Sequence, residues 1–591
     1  IVDQIEGSGF EVSNNSALIF SNSKSATFSG SISGSGSVSK EGTGTLKIDQ
    51  DNTIGGDLTV SEGALQTTQN TTVVNGAASI TGTNAPQLSI SGPSTLEALD
   101  LNIGSGAGTS GAVLVEDTAA LDVSNGLINV GYDQADGLLT QTGGTIVADT
   151  VTLGVNNGNG TVNLNGGTLQ TYALDITTPT SKVAFDGGTL IAKDDMSVGD
   201  PVALAPSPTT ISSGGATINT SLFQVDWNLP IDGTGALKKE GTGSLVLSAN
   251  NTFSGGTTIA AGTLQLGAGG STGTLSPTGA ISNNGALVFE SASNLIQATH
   301  FGPSISGTGS ISQSGSGAVV LNSKNTHSGG TALNAGTLQA LHAQALGSGP
   351  LELNSGRLVV GSAGANATVI QGIGDLRWNP DATITLESAS RIDAGGNFTR
   401  LGSTPATHQF EAGSAQILNP GNNLLVSYGG GTDFTAADFA METEPTVSLN
   451  GAFVLDENAK QLLYVLKSGV VTGSEISNAT PAWADFLIDG VTTTAISPMN
   501  TIKSLTFQNS GDLQIVSGSS LQITTGQLPV SSGESKIIGG TLTTPGDLNK
   551  TGSGSLDIRS RVVAGGTVNI QEGLVAANGE IYAKNIVVGN A

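Results

Sequence analysis

The chain lacks cysteine and contains few aromatic and few charged side chains. Of its 591 residues none is Cys, 4% are Phe, Trp or Tyr, and 11% are charged. Without cysteine, a disulfide scaffold and Cys-ligated zinc are excluded. The 20 basic residues against 46 acidic ones give a net charge of −26. This balance argues against a nucleic-acid partner, because neutralising phosphates requires clustered Lys and Arg.

Long apolar runs and a collagen period are also absent. No apolar run approaches the ~20 residues that a membrane-spanning helix needs, so we expect no membrane insertion by this segment. The 86 glycines follow no Gly-X-Y period, which excludes collagen. A hydrophobic content of 37% argues against disorder, because enough apolar surface is present to build a core.

The composition and the first residues bear on the compartment. Gly, Ser, Thr, Asn, Val and Ile dominate, and these are strand and turn formers. The chain begins at Ile1 with neither an initiator Met nor a signal peptide, so we expect a processed or truncated product. The absence of cysteine suits an oxidising compartment, although a cytoplasmic chain could lack cysteine by chance. We therefore expect secretion.

A degenerate repeat recurs along the chain. Its best copy, 239–266, begins Lys-Glu-Gly-Thr-Gly-Ser-Leu-Val-Leu, continues to Asn-Thr and Gly-Gly, and ends on Gly-Thr-Leu-Gln-Leu. Further copies lie at 40–66, at 313–339 and, with the Asn-Thr pair replaced, at 550–575. Because the copies are irregularly spaced, they mark positions within a longer coil and not a strict tandem array.

The alternation of residues within a copy predicts short strands joined by turns. Leu245 and Leu247 alternate with Val246 and Ser248, which puts one apolar row inward and the other row outward. The Asn and Gly pairs that follow are expected to supply the left-handed or otherwise strained backbone that turns require. The expected structural turn residues are Asn52, Gly55, Gly56, Asn251, Gly255, Gly256, Asn325, Gly329, Gly330, Gly565 and Gly566.

The recurrence of these rows without paired Asn-Gly turns favours a parallel β-helix over hairpins. Three strands and three turns fit in a copy of about 27 residues, with roughly 22–27 residues per coil. At a strand spacing of ~4.8 Å the chain would form a slender rod of order 100–130 Å. The predicted fold is all-β, an elongated parallel β-helix (solenoid). In it Asn52, Asn251 and Asn325 are expected to form a structural ladder between coils.

The pattern Lys-x-Gly-x-Gly-x-Leu-x-Leu, Asn-Thr-x-x-Gly-Gly and Gly-x-Leu resembles the autotransporter-associated β-strand repeat of bacterial passenger domains. Direct matches cover roughly a fifth of the chain. The resemblance implies a right-handed β-helix that is secreted or held at the bacterial cell surface. It also implies export through, or attachment to, an outer membrane by a C-terminal β-barrel. Residues 551–591 continue in the repeat style and depart from that expectation.

Residues 373–500 differ in texture from the rest, because glycine becomes sparser. We therefore divide the chain into a β-helix at 1–372, an irregular segment at 373–500 and a β-helix continuation at 501–591. Within the segment, 433–439 and 456–463 are expected to form short helices, the second after an Asp N-cap. The segment is either a protruding subdomain that carries a binding surface or an irregular part of the same coil.

The search for a catalytic, metal or cofactor site is negative. No H-E-x-x-H, Walker loop, EF-hand loop or nucleophile-elbow context occurs. The four histidines, His300, His327, His342 and His408, stand apart from any signature. His327 takes the repeat position of Phe253, which predicts a turn-exposed side chain. We predict no catalytic residue, no metal and no cofactor, and the sequence leaves the binding residues unassigned.

Acidic pairs receive a separate test, because polysaccharide-degrading β-helices use carboxylates on one groove face. The candidates are Asp49 with Asp51, Asp133 with Asp136, and Asp194 with Asp195. The first pair falls at a repeat turn. The second could hold calcium but lacks the ligand count of a dedicated loop. The third would point to opposite faces of a strand.

Three functions remain open from the sequence. The leading hypothesis is a non-enzymatic, secreted or surface-displayed β-helix that mediates adhesion or self-association. Its partners would be host or neighbouring-cell surface molecules, glycans or like molecules. The second hypothesis is a β-helical polysaccharide-degrading enzyme. The third is a structural subunit of an extracellular filament, in which open terminal coils with Ile1, Val2 and 586–588 stack head to tail.

Overall fold

The computed structural model describes two β-solenoid units, Ile1–Ala332 and Leu333–Ala591. In each unit short strands stack coil on coil, mostly in parallel. The predicted all-β class and the parallel solenoid are therefore confirmed. The described residues are 8–589 without 200–208, 271–272, 403–405, 413–420, 444–446, 474, 477–484, 490 and 496–498.

The strands of unit 1 pair in parallel within long sheets. The first sheet contains Ser8–Ser13, Ala26–Ser33, Thr45–Ile48, Ala64–Thr68, Gln87–Ser91, Ser110–Val115, Asp136–Gln141, Asn159–Leu164, Lys182–Phe185, Thr209–Ile211 and Ile231–Gly233. The second contains Ala17–Ser21, Ser37–Glu41, Asn52–Ile54, Leu58–Val60, Thr71–Ile80, Thr95–Ser105, Ala120–Tyr132, Thr145–Val155, Thr168–Ile176, Thr189–Ala192, Ala216–Asn219, Leu237–Glu240, Thr257–Ile259, Ile281–Asn283 and Ile305–Ser306. The third contains Met196–Val198, Gln224–Trp227, Ser244–Leu247, Thr263–Leu266, Ala286–Phe289 and Ser310–Gln313. Leu295–Ile296 pairs with Ala318–Leu321, and Thr331–Leu333 lies at the unit boundary.

The core of unit 1 consists of inward aliphatic rows that continue from coil to coil. Leu65, Leu88, Val113 and Leu139 stand side by side on four consecutive strands. Each of the four is at most 1% exposed. Because successive side chains of a strand point to opposite faces, the period-two pattern of the sequence produces these rows directly. Burial of each row contributes roughly 25 cal/mol per Å² of apolar surface removed from water.

The coils are shortest at the repeat copies. Leu245 pairs with Leu264, 19 positions later, whereas Leu88 pairs with Val113, 25 positions later. The expectation of 22–27 residues per coil is therefore too long at the repeats, where one copy spans more than one coil. Val246, expected to face outward, is only 4% exposed.

Unit 2 contains parallel sheets and one antiparallel region. One parallel sheet contains Thr337–Ala340, Gly356–Val360, Ala382–Leu386, His408–Ala412 and Phe439–Thr443, and a second contains Leu351–Leu353, Leu376–Trp378 and Phe398–Arg400. A mixed sheet contains Val369–Ile370, Arg391–Ala394, Gly421–Tyr428, Val447–Asp456, Gln461–Gly473, Asp485–Asp489 and Ser504–Gln508. The remaining strands are Glu475–Ile476, Thr492–Ala495, Met499–Ile502, Asp512–Ile523, Gln527–Pro529, Glu534–Thr544, Leu548–Thr551, Ser555–Ala564, Thr567–Ile570, Val575–Ala577, Ile581–Tyr582 and Asn585–Val588.

The two expected helices are largely wrong. Of 433–439, only Ala436–Asp438 forms a single 3-10 turn, and Phe439 already begins a strand. The expected helix at 456–463 is instead the turn of an antiparallel hairpin between Val447–Asp456 and Gln461–Gly473. Asp456 does cap a turn there, since its Oδ1 accepts hydrogen bonds from the backbone N–H groups of Asn458 and Ala459. Alternating burial of Leu462 and Tyr464 in the following strand outweighs the local helix propensity.

An aromatic core lies beneath this hairpin. Trp378, Phe398, Phe410, Phe434 and Phe439 pack in mutual contact, with centroid distances from 4.6 to 6.1 Å. Parallel coil pairing continues through this region, because His408–Ala412 pairs in parallel with Phe439–Thr443. The described part of 373–500 therefore contains both continued coil and an added hairpin.

Candidate functional site

The repeat builds a recurring lysine cap at one bend of the coil. Lys239 lies on the inward face of Leu237–Glu240 and is fully buried. Its ammonium donates to Glu240 O at 2.8 Å, Gly241 O at 2.9 Å and Ala261 O at 3.2 Å. Because Ala261 belongs to the next coil, the lysine joins two successive bends. The three carbonyl oxygens satisfy the three donors of the ammonium group.

The same lysine cap occurs in two other copies. Lys40 Nζ donates to Glu41 O at 2.8 Å, Gly42 O at 2.6 Å and Glu62 O at 3.2 Å. Lys550 Nζ donates to Gly552 O and, at 2.7 Å, to Glu572 O. Glutamine replaces it in two related bends, with Gln313 donating to Gly315 O and Gly317 O, and Gln141 to Gly144 O and Thr168 O. The position therefore needs a long inward donor more than it needs a charge.

Burial changes the acidity of these lysines. Removal from water lowers the pKa of Lys239 to about 8, although the nearby Glu240 carboxylate opposes the change. The pKa values of Lys40 and Lys550 are lowered for the same reason, with Glu62 and Glu572 opposing. The lysines are thus held by hydrogen bonds in an apolar setting that disfavours their charge.

The repeat asparagines bond the backbone of the preceding coil. Asn251 Oδ1 accepts a hydrogen bond from Ile231 N at 3.0 Å, and its amide donates to Thr274 O at 2.9 Å. In the same way, Asn52 Oδ1 accepts a hydrogen bond from Ile32 N and Asn325 Oδ1 accepts one from Ile305 N, both at 2.9 Å. The three asparagines lie far apart in the chain, so each links its own neighbouring coils.

The repeat glycines are required by close backbone approach. A Cβ on Gly255 would lie 2.2 Å from Gly235 O. Of the left-handed or otherwise strained backbone expected at Gly255 and Gly256, the left-handed form does not occur there; positive φ occurs at Gly241 (80°) and Gly262 (65°), beside the lysine cap. The other expected turn glycines are Gly55, Gly56, Gly329, Gly330, Gly565 and Gly566, of which Gly330 has a positive φ.

The expectation for His327 is also wrong. Its side chain is fully buried, as is that of Phe253 at the equivalent position. His327 Nε2 lies 2.9 Å from Thr331 Oγ1, and burial lowers the pKa of His327 to about 4. Inward placement follows from the alternation of the repeat, which continues through the turn. His408 is buried in the aromatic core, where burial lowers its pKa.

Five of the six candidate carboxylates bond a neighbouring coil, and Asp194 bonds the backbone N–H of the adjacent Asp195. Asp51 Oδ1 accepts from Thr71 N at 2.7 Å and Asp195 Oδ1 from Gln224 N at 2.7 Å. Asp49 accepts a hydrogen bond from Ser29 Oγ, and Asp133 accepts one from Asn156 Nδ2. Asp136 accepts from Asn159 Nδ2, and Asp194 accepts from Asp195 N. The two members of each pair share none of these donors. The structure therefore brings no candidate pair onto a common donor.

Unit 1 also carries an open groove of about 410 Å³ that the sequence does not predict. We call it the bend groove; it is lined by 73–75, 97–99, Asp122, Ser124 and Asn125. Glu97 and Asp122 are in register on adjacent strands. The pairing slips between Glu97 and Leu101, where the strand bends. The one sequence signal is Leu99-Asp100, which breaks the alternation of the flanking strand residues.

The part of the chain that the structure describes contains neither a membrane-spanning helix nor a metal-binding cluster. None of the helices in this described part is long and apolar enough to cross a membrane. In the same part of the chain, no three His, Asp or Glu side chains are grouped so that they could hold a metal ion.

Comparison with known proteins identifies the repeat and one relative. The family model of the passenger-associated transport repeat matches residues 38–66, 237–266 and 311–340. The chain is also similar to an autotransporter adhesin, BmaC, of Brucella suis biovar 1 (strain 1330), with 29% identity over 234 residues. That match covers 39% of this chain and 6% of the adhesin, so the chain spans a small part of its relative.

Proposed function

Since this chain is an autotransporter passenger with transport repeats, secreted or displayed at the cell surface, we propose that it is a non-enzymatic adhesin segment. Its partners would be surface molecules of host or neighbouring cells, or further copies of the passenger. The similarity to an autotransporter adhesin carries this proposal.

The outward rows of the solenoid support it. Asn129 Nδ2 donates to Asn102 Oδ1 on the adjacent coil at 2.9 Å, and Asn569 Nδ2 donates to Asn549 Oδ1 at 2.8 Å. These side-chain bonds order polar groups at the strand spacing of ~4.8 Å. A fixed, repeating polar surface suits many weak contacts that add up through multivalency.

The experiment uses the purified chain coupled to beads. We expect beads coated with the wild-type chain to bind cells, or one another, more strongly than beads coated with the Leu247→Asp variant do. The core of that variant is disrupted. Analytical ultracentrifugation of the free chain distinguishes self-association from binding to cells. If coated and control beads behave alike and the chain sediments as a monomer, the proposal is wrong.

A further inference from the structure

We propose that the bend groove binds an extended, cationic polypeptide segment that presents lysine or arginine side chains. This inference rests on the proposed adhesin function and names the partner chemistry of one surface. It starts from the position of the groove across adjacent coils of unit 1, in which Val73, Glu97 and Asp122 stand in register. A ligand lying across the strands would meet one of these side chains per coil.

Charge is the first argument. Glu97 and Asp122 are directly opposite each other on adjacent strands, and like charges in that relationship destabilise a sheet. Asp122 Oδ1 accepts one hydrogen bond, from Ser124 N at 2.9 Å. For the carboxylate of Glu97, the described residues provide neither a hydrogen bond nor an ion pair. A cation placed between the two carboxylates would relieve their repulsion.

The apolar wall is the second argument. Leu99 lines the groove and is 50% exposed, and Leu127, in the next long strand, is 41% exposed. The alkyl stem of a lysine or arginine side chain packs on such a surface while its charged end reaches a carboxylate. A free cation would use only the carboxylates, whereas a long basic side chain uses both features.

The net charge of the chain fits the same partner. At a net charge of −26 the chain attracts basic partners at long range and disfavours acidic segments at this groove. A second copy is therefore a poorer occupant of this groove than a basic segment. A neutral glycan could donate hydroxyl hydrogen bonds to the carboxylate of Glu97, but it would not neutralise the two facing negative charges.

The test measures fluorescence anisotropy of a labelled, glycine-rich peptide with two Lys-Val-Lys motifs, added to the whole chain. The matched probe is the same peptide with acetylated lysines, which removes only the charge. Combining Glu97→Gln with Asp122→Asn should weaken binding three- to tenfold, and the Asn oxygen can still accept from Ser124 N. The control is Glu534→Gln, an exposed carboxylate in unit 2, which should change binding less than twofold.

Leu99→Ser gives an independent reading, because it should weaken binding also at high salt, where charge is screened. Equal binding of the acetylated peptide, or equal weakening by Glu534→Gln, would overturn the proposal. Capture of a neutral glycan, lost in the Glu97→Gln variant, would also overturn it. Beads that still adhere to cells without binding the lysine peptide would refute the groove assignment alone and leave the adhesin function standing.

Discussion

The ammonium of Lys239 lies 3.2 Å from the backbone oxygen of Ala261, on the next coil. A buried lysine in a solenoid thus serves two bends at once. It donates to the carbonyls of its own bend and to one in the bend stacked on it. The glycines at 241 and 262 have positive φ, which turns their neighbouring carbonyls toward the lysine. The lysine and glycine residues that define the repeat in the sequence therefore belong to one hydrogen-bonded structure.

Removing the donor should destabilise the coil. We expect Lys239→Ala to lower the free energy of unfolding by roughly 2–3 kcal/mol, because buried carbonyl groups lose their partner. Lys239→Gln should cost less, since Gln313 fills the equivalent position with bonds of 2.7 and 2.9 Å. The neighbouring Lys238 faces outward and pairs with Glu240 at 2.5 Å, so Lys238→Ala should cost under ~0.5 kcal/mol. Urea denaturation gives the values; equal losses at 238 and 239 would contradict the cap.

The lysine cap should also respond to alkaline pH. The pKa of Lys239 is lowered to about 8 in the folded chain, whereas an unfolded lysine titrates near ~10.4. Between these values the unfolded chain binds more protons, so stability should rise with pH, by up to roughly 3 kcal/mol. The measurement is urea denaturation from pH 7.5 to 10.5. The Lys239→Gln variant is the control, and a wild-type slope no steeper than that of the variant would refute the assignment.

The sequence predicts the coil well and its local exceptions poorly. Alternation at Leu245 and Leu247 is enough to predict a parallel solenoid, because burial at period two is a property of the strand itself. The hairpin at 447–473 escapes prediction because its turn, 457–460, follows an aspartate that equally suits a helix start. The expected exposure of His327 is wrong because that expectation assigns its position to a turn, although the alternation of buried Asn325 and His327 with exposed Thr326 continues through it.

The cap and the groove show the same limit. The recurrence of Lys40, Lys239 and Lys550 is visible in the sequence, and each lies two positions after an inward aliphatic residue of its strand. The carbonyl groups of the next coil that each ammonium binds are not visible there. The bend groove depends on strands that are neighbours only after coiling, and Glu97 meets Asp122 only in that register. Contacts between coils must be known before either site can be identified.

Buried His327 should make its coil sensitive to acid. The pKa is lowered to about 4 by burial, and an unfolded histidine titrates near ~6.5. Below ~6.5 the unfolded chain therefore binds more protons, and stability should fall by up to roughly 3 kcal/mol as the pH drops toward 4. His327→Phe, which copies Phe253 at the equivalent position, should remove this part of the slope. Denaturant titrations of both proteins between pH 7 and 4 test it, and parallel curves would count against a neutral buried histidine.

The two faces of the coil should differ sharply in their tolerance of charge. Leu247 is fully buried, and Thr258 points outward from Thr257–Ile259. Leu247→Asp should cost at least ~4 kcal/mol, because an unpaired charge enters the core. Thr258→Asp should change stability by under ~0.5 kcal/mol. Urea denaturation of both variants measures the two losses of stability. Equal losses would show that the inward and outward faces are assigned incorrectly.

The glycine requirement of the repeat should follow backbone distance and not φ. Neither Gly255 nor Gly270 has a positive φ, so alanine meets no conformational barrier at either position. At Gly255 the added methyl would lie 2.2 Å from Gly235 O on the preceding coil, whereas at Gly270 nothing lies within 4 Å. Gly255→Ala must therefore push two coils apart, and we expect a loss of roughly 1–3 kcal/mol. Gly270→Ala should be neutral or stabilising by ~0.4–1 kcal/mol, because it restricts only the unfolded chain. Hydrogen exchange at amides 233–237 would locate the damage. Unchanged protection there in Gly255→Ala would mean that the coils are not packed as closely as this bend requires.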